Sequence, residues 1–130
     1  MICHPPNAAY EQLLATFREL YARTGADLAI GRRLRQLLLD AGLAEVGVEA
    51  RADLPPPGHS RRTVMLDLVQ VMRPKLIAAG LLTAAEHDEP DREARAHIAA
   101  PETIVMPHLS FLAWGRVPEG DPVAVVPAVP

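Results

Sequence analysis

The chain has 130 residues, the size of one ordinary domain, and its composition of 49% hydrophobic and 22% charged residues excludes a disordered tail and indicates a globular fold. Aromatic residues make up only 4%, so we expect an aliphatic core. With a formal net charge of -3, the chain lacks the excess of basic residues that neutralises phosphates, and we therefore expect no nucleic-acid partner.

The single cysteine, Cys3, excludes an internal disulfide framework and indicates a reducing compartment, so the predicted location is the cytoplasm. The first residues show no export signal, and no segment approaches the roughly 20 apolar residues of a membrane span. We therefore expect no membrane partner. The 5 histidines lack the spacing of metal ligands, and no metal is predicted.

The first predicted helix covers residues 8–24, with Asn7 as its N-cap and Gly25 after its end. Its apolar residues recur at helical spacing and would form one buried face. These residues are Tyr10, Leu13, Leu14, Phe17, Leu20 and Tyr21.

A second helix is predicted at about 28–41, capped by Asp27 and ended by Gly42. Residues 45–51 then alternate polar and apolar with a period of two, which predicts a strand with one buried face. The order helix, glycine, strand indicates an α/β fold.

A third helix is predicted from Ser60 to about Gly80, with Pro74 inside its apolar pattern. Proline removes one backbone donor and clashes with the preceding turn, so we expect Pro74 to kink or divide this helix.

The sequence Thr83 to Glu86 has the form of a capping box and opens a fourth helix. We expect this helix to be interrupted or restarted at Pro90, to end by Pro101, and to be exposed because it is polar. Its cluster at 86–89 is interpreted as a solvated acidic helix start.

Residues 103–106 and 108–114 are rich in β-formers and predict one strand broken by a loop, the second strand of the chain. The proline-rich segment 119–130 has no periodicity and is predicted to be irregular.

Nucleotide and hydrolase motifs are absent from the sequence. No Gly-x-Gly pair occurs, and the only lysine, Lys75, follows a proline, so neither a dinucleotide fingerprint nor a phosphate loop is present. Neither Ser60 nor Ser110 lies between the glycines of a nucleophile elbow.

Residues 24–34, the following Leu37-Leu38 and Ala41-Gly42-Leu43, and the strand around Val46 to Glu49 resemble the C-terminal half of class I S-adenosylmethionine-dependent methyltransferases that act on small molecules. The element order agrees, since that group inserts helices after its penultimate strand, matching 60–100, and its last strand ends like residues 113–118. The lead-in from His4 to Tyr10 resembles the stretch after the fifth strand.

This resemblance implies a partial Rossmann-like α/β fold, rich in helix, with a C-terminal antiparallel strand pair. It implies a single domain over 1–118, in which 59–101 is an inserted helical cap over the acceptor. The family's glycine-rich turn and its acidic residue after the second strand have no counterpart here. S-adenosylmethionine is therefore a cofactor by resemblance only, no residue is assigned to it, and we expect the isolated chain not to bind it.

The resemblance implies methyl transfer to a small acceptor, with the cofactor half supplied from elsewhere. No catalytic residue is assigned. By their place in the family's element order, five residues are predicted to line the acceptor side: His4, Tyr10, Met72, Met106 and His108. An unpaired sheet edge and apolar helix faces predict self-association or a complementary chain.

Two other classes of function stay open at this point. The chain could be a non-enzymatic protein, either an interaction or dimerisation module or a truncated reading frame without its own activity. It could also be a small domain that encloses a hydrophobic ligand. The missing glycine-rich turn is the sequence feature that argues against catalysis by the chain alone.

Overall fold

The computed structural model describes residues 1–120, and these form two compact units. The first, here the helical unit, contains residues 1–28 and 52–109. The second, here the strand unit, contains residues 29–51 and, within the described chain, 110–120. Of the segment 119–130 that was predicted to be irregular, residues 121–130 lie outside the described residues.

The first helix of the helical unit, α1, covers Ala8–Arg23 and confirms the predicted helix and its cap. The side-chain oxygen of Asn7 accepts a hydrogen bond from the backbone N–H of Tyr10 at 2.8 Å. Gly25 follows the end of the helix with a φ of 75°, a conformation that glycine adopts without strain.

Two helices of similar length pack against α1. A single 3₁₀ turn at Ser60–Arg62 precedes α3, which covers Val64–Ala78 and continues through Pro74 without being divided. The next helix, α4, covers Ala84–Ala99 and opens with the predicted capping box between Thr83 and Glu86.

The predicted break of the fourth helix at Pro90 is wrong, because α4 is continuous across it. The prediction that this helix is exposed also fails on one face, where His87, Ala94 and Ile98 are buried. Packing of that face against α1 and α3 keeps the segment helical although Pro90 has no backbone donor.

A short antiparallel sheet completes the helical unit. Its strands are β1, Ile2–His4, and β3, Ile104–Met106, with Cys3 opposite Val105. The strand β1 was not predicted, since three residues before a Pro-Pro pair carry almost no periodicity. The core of this unit is mainly aliphatic, as expected, and includes Leu13, Leu66, Val69, Leu76 and Ile98.

The strand unit begins with a 3₁₀ turn at Ile30–Arg33, which leads into the short helix α2, Leu34–Asp40. The predicted helix from 28 therefore starts later, and its predicted cap, Asp27, lies outside the helix; no side chain caps α2. Strand β2 covers Ala44–Ala52, and β4 covers Leu109–Arg116.

The described strands form two separate two-stranded antiparallel sheets, β1 with β3 and β2 with β4. The prediction of one loop-broken strand over 103–114 is therefore wrong, because β3 and β4 pair in different sheets. Hydrogen-bonding partners far away in the sequence decide this, and no local pattern encodes them. The fold class is α/β, and residues 1–120 contain four α-helices.

No residue of the strand unit is buried in the part of the chain that the structure describes. Several of its large apolar side chains are strongly exposed, among them Trp114 at 55% and Leu112 at 47%. By contrast, every buried apolar residue of the described core belongs to the helical unit. The strand unit therefore carries the large apolar side chains of a layer that is covered on one face, but its described residues form no core that buries them.

Candidate functional site

A cavity of about 380 Å³ lies beside the first half of α1 in the helical unit. A volume of this size suits a small organic ligand. Cys3 of β1 and several residues of α1 line it: Tyr10, Glu11, Leu14, Ala15 and Arg18.

Local structure determines which side chains reach this cavity. Tyr10, Leu14 and Arg18 are spaced four residues apart, so they follow one another along a single face of the helix. In β1, alternate side chains point to opposite faces: Cys3 is half-buried, whereas Ile2 and His4 are exposed.

Asn7 fixes the first turn of α1, where Tyr10 lies. Besides accepting the hydrogen bond from the Tyr10 backbone, its side-chain nitrogen donates to Oε1 of Glu93 at 3.1 Å. His97 also contacts the N-terminal segment, because its Nε2 donates to the carbonyl of Pro5 at 2.8 Å. Two residues of α4 therefore anchor the segment that carries the cavity wall.

The hydroxyl of Tyr10 is the unusual group of this site. Tyr10 is only 2% exposed, and its hydroxyl oxygen is buried without a hydrogen-bond partner among the described residues. Leaving such a group unpaired costs about 1–3 kcal/mol. Burial, reinforced by Cys3 and opposed by Arg18, raises the pKa of Tyr10 to about 12. The group is thus a neutral hydroxyl at physiological pH and can donate a hydrogen bond.

Cys3 supplies a thiol rather than a thiolate. Burial raises the pKa of Cys3 above its usual range, and the nearby Arg62 only partly offsets this effect. The Sγ atom donates to the carbonyl of Pro5 at 3.6 Å. Since the thiolate is the nucleophilic form, this cysteine is suited to packing and weak hydrogen bonding, not to attack on a substrate.

Arg62 holds together the backbone beneath this region. It is 4% exposed, and its guanidinium donates to backbone carbonyls at 2.6 to 3.3 Å. The acceptors are the carbonyl oxygens of Pro55, Ile98, Ala100 and Thr103. Sequence reasoning did not identify Arg62, because an arginine in a Ser-Arg-Arg sequence carries no local sign of burial.

The structure brings only part of the predicted acceptor site together. Tyr10 lies in the cavity wall. His4 and His108 are both exposed: His4 ends β1, and His108 lies between β3 and β4. Met106 is half-buried at the end of β3, opposite Ile2 in the register.

Met72 belongs to a different cavity at the far end of α1. This cavity has a volume of about 150 Å³ and is lined by Met72, Tyr21, Lys75 and others. Tyr21 follows Tyr10 by eleven residues, which corresponds to about 16 Å along the helix axis. Met72 and Tyr10 therefore line separate cavities, although element order had placed both on one acceptor side.

A second polar cluster lies on α3 and α4. His87 is 1% exposed, which corrects the interpretation of 86–89 as a fully solvated helix start. The Nδ1 atom of His87 contacts Oδ1 of Asp88 at 3.0 Å, and Arg73 binds both oxygens of Asp88 at 2.9 Å. Although slight desolvation opposes the effect, the hydrogen bonds from Arg73 and His87 lower the pKa of Asp88. This cluster joins the two helices.

The glycines of the chain do not form a cradle for a nucleotide cofactor. Side chains of the strand unit itself occupy the space beside three of them: Phe111 beside Gly31, Trp114 beside Gly47, and Leu43 beside Gly115. The other glycines, Gly25, Gly42, Gly58, Gly80 and Gly120, have positive φ angles in turns with open space beside them. The residues present therefore do not fit S-adenosylmethionine, which such methyltransferases hold at a glycine-rich turn.

Within residues 1–120, no group of three or more His, Cys, Asp or Glu side chains could hold a metal ion. No helix in this range is long and apolar enough to cross a bilayer. No protein-family model matches the sequence, and neither a curated protein nor a solved structure matches it.

Proposed function

We propose that this chain is the acceptor-substrate portion of an S-adenosylmethionine-dependent methyltransferase that acts on a small molecule, with a partial Rossmann-like fold. The observation that supports this most is the pairing of β2 with β4, although the whole segment 53–108 lies between them. A last strand that returns antiparallel to its predecessor, after an insertion of helices, is the arrangement that the sequence resemblance implies.

The strand unit also supports the proposal, because no described residues cover its apolar side chains. A helix followed by two strands, with apolar side chains such as Ile30, Leu112 and Trp114 exposed, is one layer of an α/β sheet. We propose that a complementary sheet, supplied from outside these residues, covers it. In the proposed enzyme that sheet carries the cofactor site, because the glycines here do not form one.

The helical unit would then hold the acceptor. Its cavity offers apolar contact at Leu14 and Ala15. Positioning and exclusion of water are the contributions expected of the protein in a transfer between two bound small molecules. The half-buried thiol of Cys3 suits a reducing compartment, and we propose the cytoplasm.

The test has two parts. Calorimetric titration of the folded chain with S-adenosylmethionine is expected to give no saturable heat. The chain is then mixed with a separately expressed cofactor-binding half of a small-molecule methyltransferase. Trp114, the only tryptophan, should shift its emission to shorter wavelength as it becomes buried, and labelled methyl groups should pass to acceptors in a panel of small phenols and carboxylic acids.

Trp114→Glu tests whether the strand unit makes the contact, because it places a charge on that unit and leaves the core of the helical unit unchanged. This variant should retain its helical signal and lose both association and methyl transfer. Saturable binding of S-adenosylmethionine by the chain alone would contradict the proposal, as would association without any methyl transfer.

The exposed apolar residues of the strand unit also favour a second candidate, a non-enzymatic module that dimerises through this layer. Analytical ultracentrifugation separates the two candidates. A dimer that Trp114→Glu disrupts, with no methyl transfer when the cofactor half is added, would support the second candidate over the first.

A further inference from the structure

The two faces of the β2–β4 sheet differ in how they are covered. On one face, the ring of Phe111 in β4 lies against Gly31 of the preceding 3₁₀ turn, which leaves no room for a Cβ there. Because side chains alternate across a strand, Leu112 and Trp114 lie on the opposite face. These two residues define what is here called the outer face, and they are 47% and 55% exposed.

Trp114 forms an aromatic platform on the outer face. Its indole lies against the backbone of Gly47 in β2, so the neighbouring strand supports one side of the ring. More than half of the residue nevertheless stays exposed among the described residues. At the end of this face, Arg116 pairs with Glu45 at 3.4 Å, and charged side chains therefore border the apolar strip. An exposed, supported indole is the kind of surface on which proline-rich segments pack.

The segment that follows, residues 121–130, has a composition that matches this platform. Nine of its ten residues are Val, Ala or Pro, and only Asp121 is charged. Its prolines, Pro122, Pro127 and Pro130, cannot donate to a ladder, so the segment is not suited to extend the sheet as a regular strand. Proline instead favours the polyproline II conformation, which docks on aromatic side chains.

The connection to β4 allows this segment to reach the outer face. Residues 119–120 form a turn after the end of β4, and Gly120 has a φ of 112°, which glycine adopts without strain. Such a turn can direct the chain back along β4. Ten residues in polyproline II conformation span about 31 Å. The 8 residues of β4 span about 27 Å, so the segment is long enough to pass Trp114 and Leu112.

We propose that residues 121–130 lie back across the outer face as a strap and pack on Trp114 and Leu112. The short connection from β4 keeps the strap at a high effective concentration beside the platform. This docking needs neither the cofactor nor a complementary sheet. That a complementary sheet displaces the strap when it binds rests on the proposed function.

The experiment measures the quenching by acrylamide of Trp114, the only tryptophan, in the full chain. Val125→Asp combined with Val126→Asp places two charges in the strap and leaves every described core residue unchanged. If the strap covers half of the exposed indole, its release should raise the quenching constant about twofold and shift the emission to longer wavelength. Val125→Ile combined with Val126→Ile keeps the strap apolar and, as the matched control, should leave both values unchanged.

Two further measurements do not depend on the comparison of variants. In the unaltered chain, nuclear Overhauser contacts should join the indole protons of Trp114 to methyl groups of Val125 or Val126. A synthetic peptide with the sequence of residues 121–130 should protect Trp114 again when it is added to the Asp double variant. It should do so only near millimolar concentration, because the effective concentration that the connection provides is lost.

Equal quenching in the unaltered chain and the Asp double variant would overturn this proposal, as would the absence of the nuclear Overhauser contacts. Protection of Trp114 that disappears on dilution would also overturn it, because a second copy of the chain would then cover the outer face. These measurements contain no cofactor half and are independent of the methyl-transfer test. A strap without methyl transfer would reject only the enzyme, and methyl transfer without a strap would reject only the strap.

Discussion

Arg62 shows how one residue can hold several segments of a small unit. Its guanidinium satisfies four backbone carbonyls, from the loop before α3, the end of α4 and the approach to β3. None of the ion pairs in the described chain involves it, so the carbonyls alone compensate the buried charge. Removal of this side chain would leave buried acceptors without a donor.

We expect Arg62→Met to lower the free energy of unfolding by about 3 kcal/mol, measured by urea denaturation with far-UV circular dichroism. The neighbouring Arg61 is exposed and pairs with Asp53, so Arg61→Met should change stability by no more than about 0.5 kcal/mol. Equal losses in the two variants would contradict the role assigned to Arg62.

The raised pKa of Tyr10 leads to a second prediction about a single residue. The pKa of Tyr10 is about 12 in the folded chain against a usual value of 10.0, so the folded state holds this proton more tightly than the unfolded state. Its contribution to stability is therefore complete below pH 10 and is lost as the pH rises from 10 to 12. The free energy of unfolding should fall more steeply in this window for the native chain than for Tyr10→Phe. Parallel curves for the two proteins would refute the assignment.

At the scale of elements, prolines inside helices and glycines inside strands are tolerated for different reasons. Pro74 and Pro90 lie within continuous helices whose buried faces pack in one core. Gly47 in β2 is covered by the indole of Trp114, and a Cβ at this position would lie only 2.5 Å from the ring. The glycine therefore provides space for an aromatic side chain from the neighbouring strand.

Gly47→Val should displace the indole and destabilise the β2–β4 pair, by about 1–3 kcal/mol as overpacking commonly does. Because Trp114 is the only tryptophan, its fluorescence reports the change directly, and we expect an altered emission maximum. Val48→Ala, on the opposite face of β2, is the control and should leave the emission unchanged. An unchanged spectrum for Gly47→Val would contradict the packing of Trp114 on this glycine.

For the whole molecule, the division into two units predicts unequal stability. The described buried apolar residues all belong to the helical unit, and the strand unit buries none. Urea should therefore change Trp114 fluorescence, which reports the strand unit, at a lower concentration than it changes the far-UV signal of the helices. Coincident transitions would mean that the units unfold together. Addition of a partner that covers the strand unit should raise the urea concentration at which Trp114 fluorescence changes.

The sequence alone determined the local features. Asn7, the capping box at Thr83 and the glycines after the helices act within four residues of the chain, so propensity and spacing were enough to predict α1, the start of α4 and strand β2. The α/β class followed from the same patterns. Among the predicted acceptor residues, Tyr10 lies in the wall of the candidate cavity.

Only the tertiary structure decided which elements pair and which side chains are buried. The strands β3 and β4 are neighbours in sequence but pair with β1 and β2, and Met72 and Tyr10 line cavities at opposite ends of α1. The burial of Arg62 and His87 depends on contacts with distant segments. Such contacts depend on how whole elements pack. The hydrophobic effect is not directional, so a local sequence pattern shows which face of an element is apolar but does not show which other element covers that face.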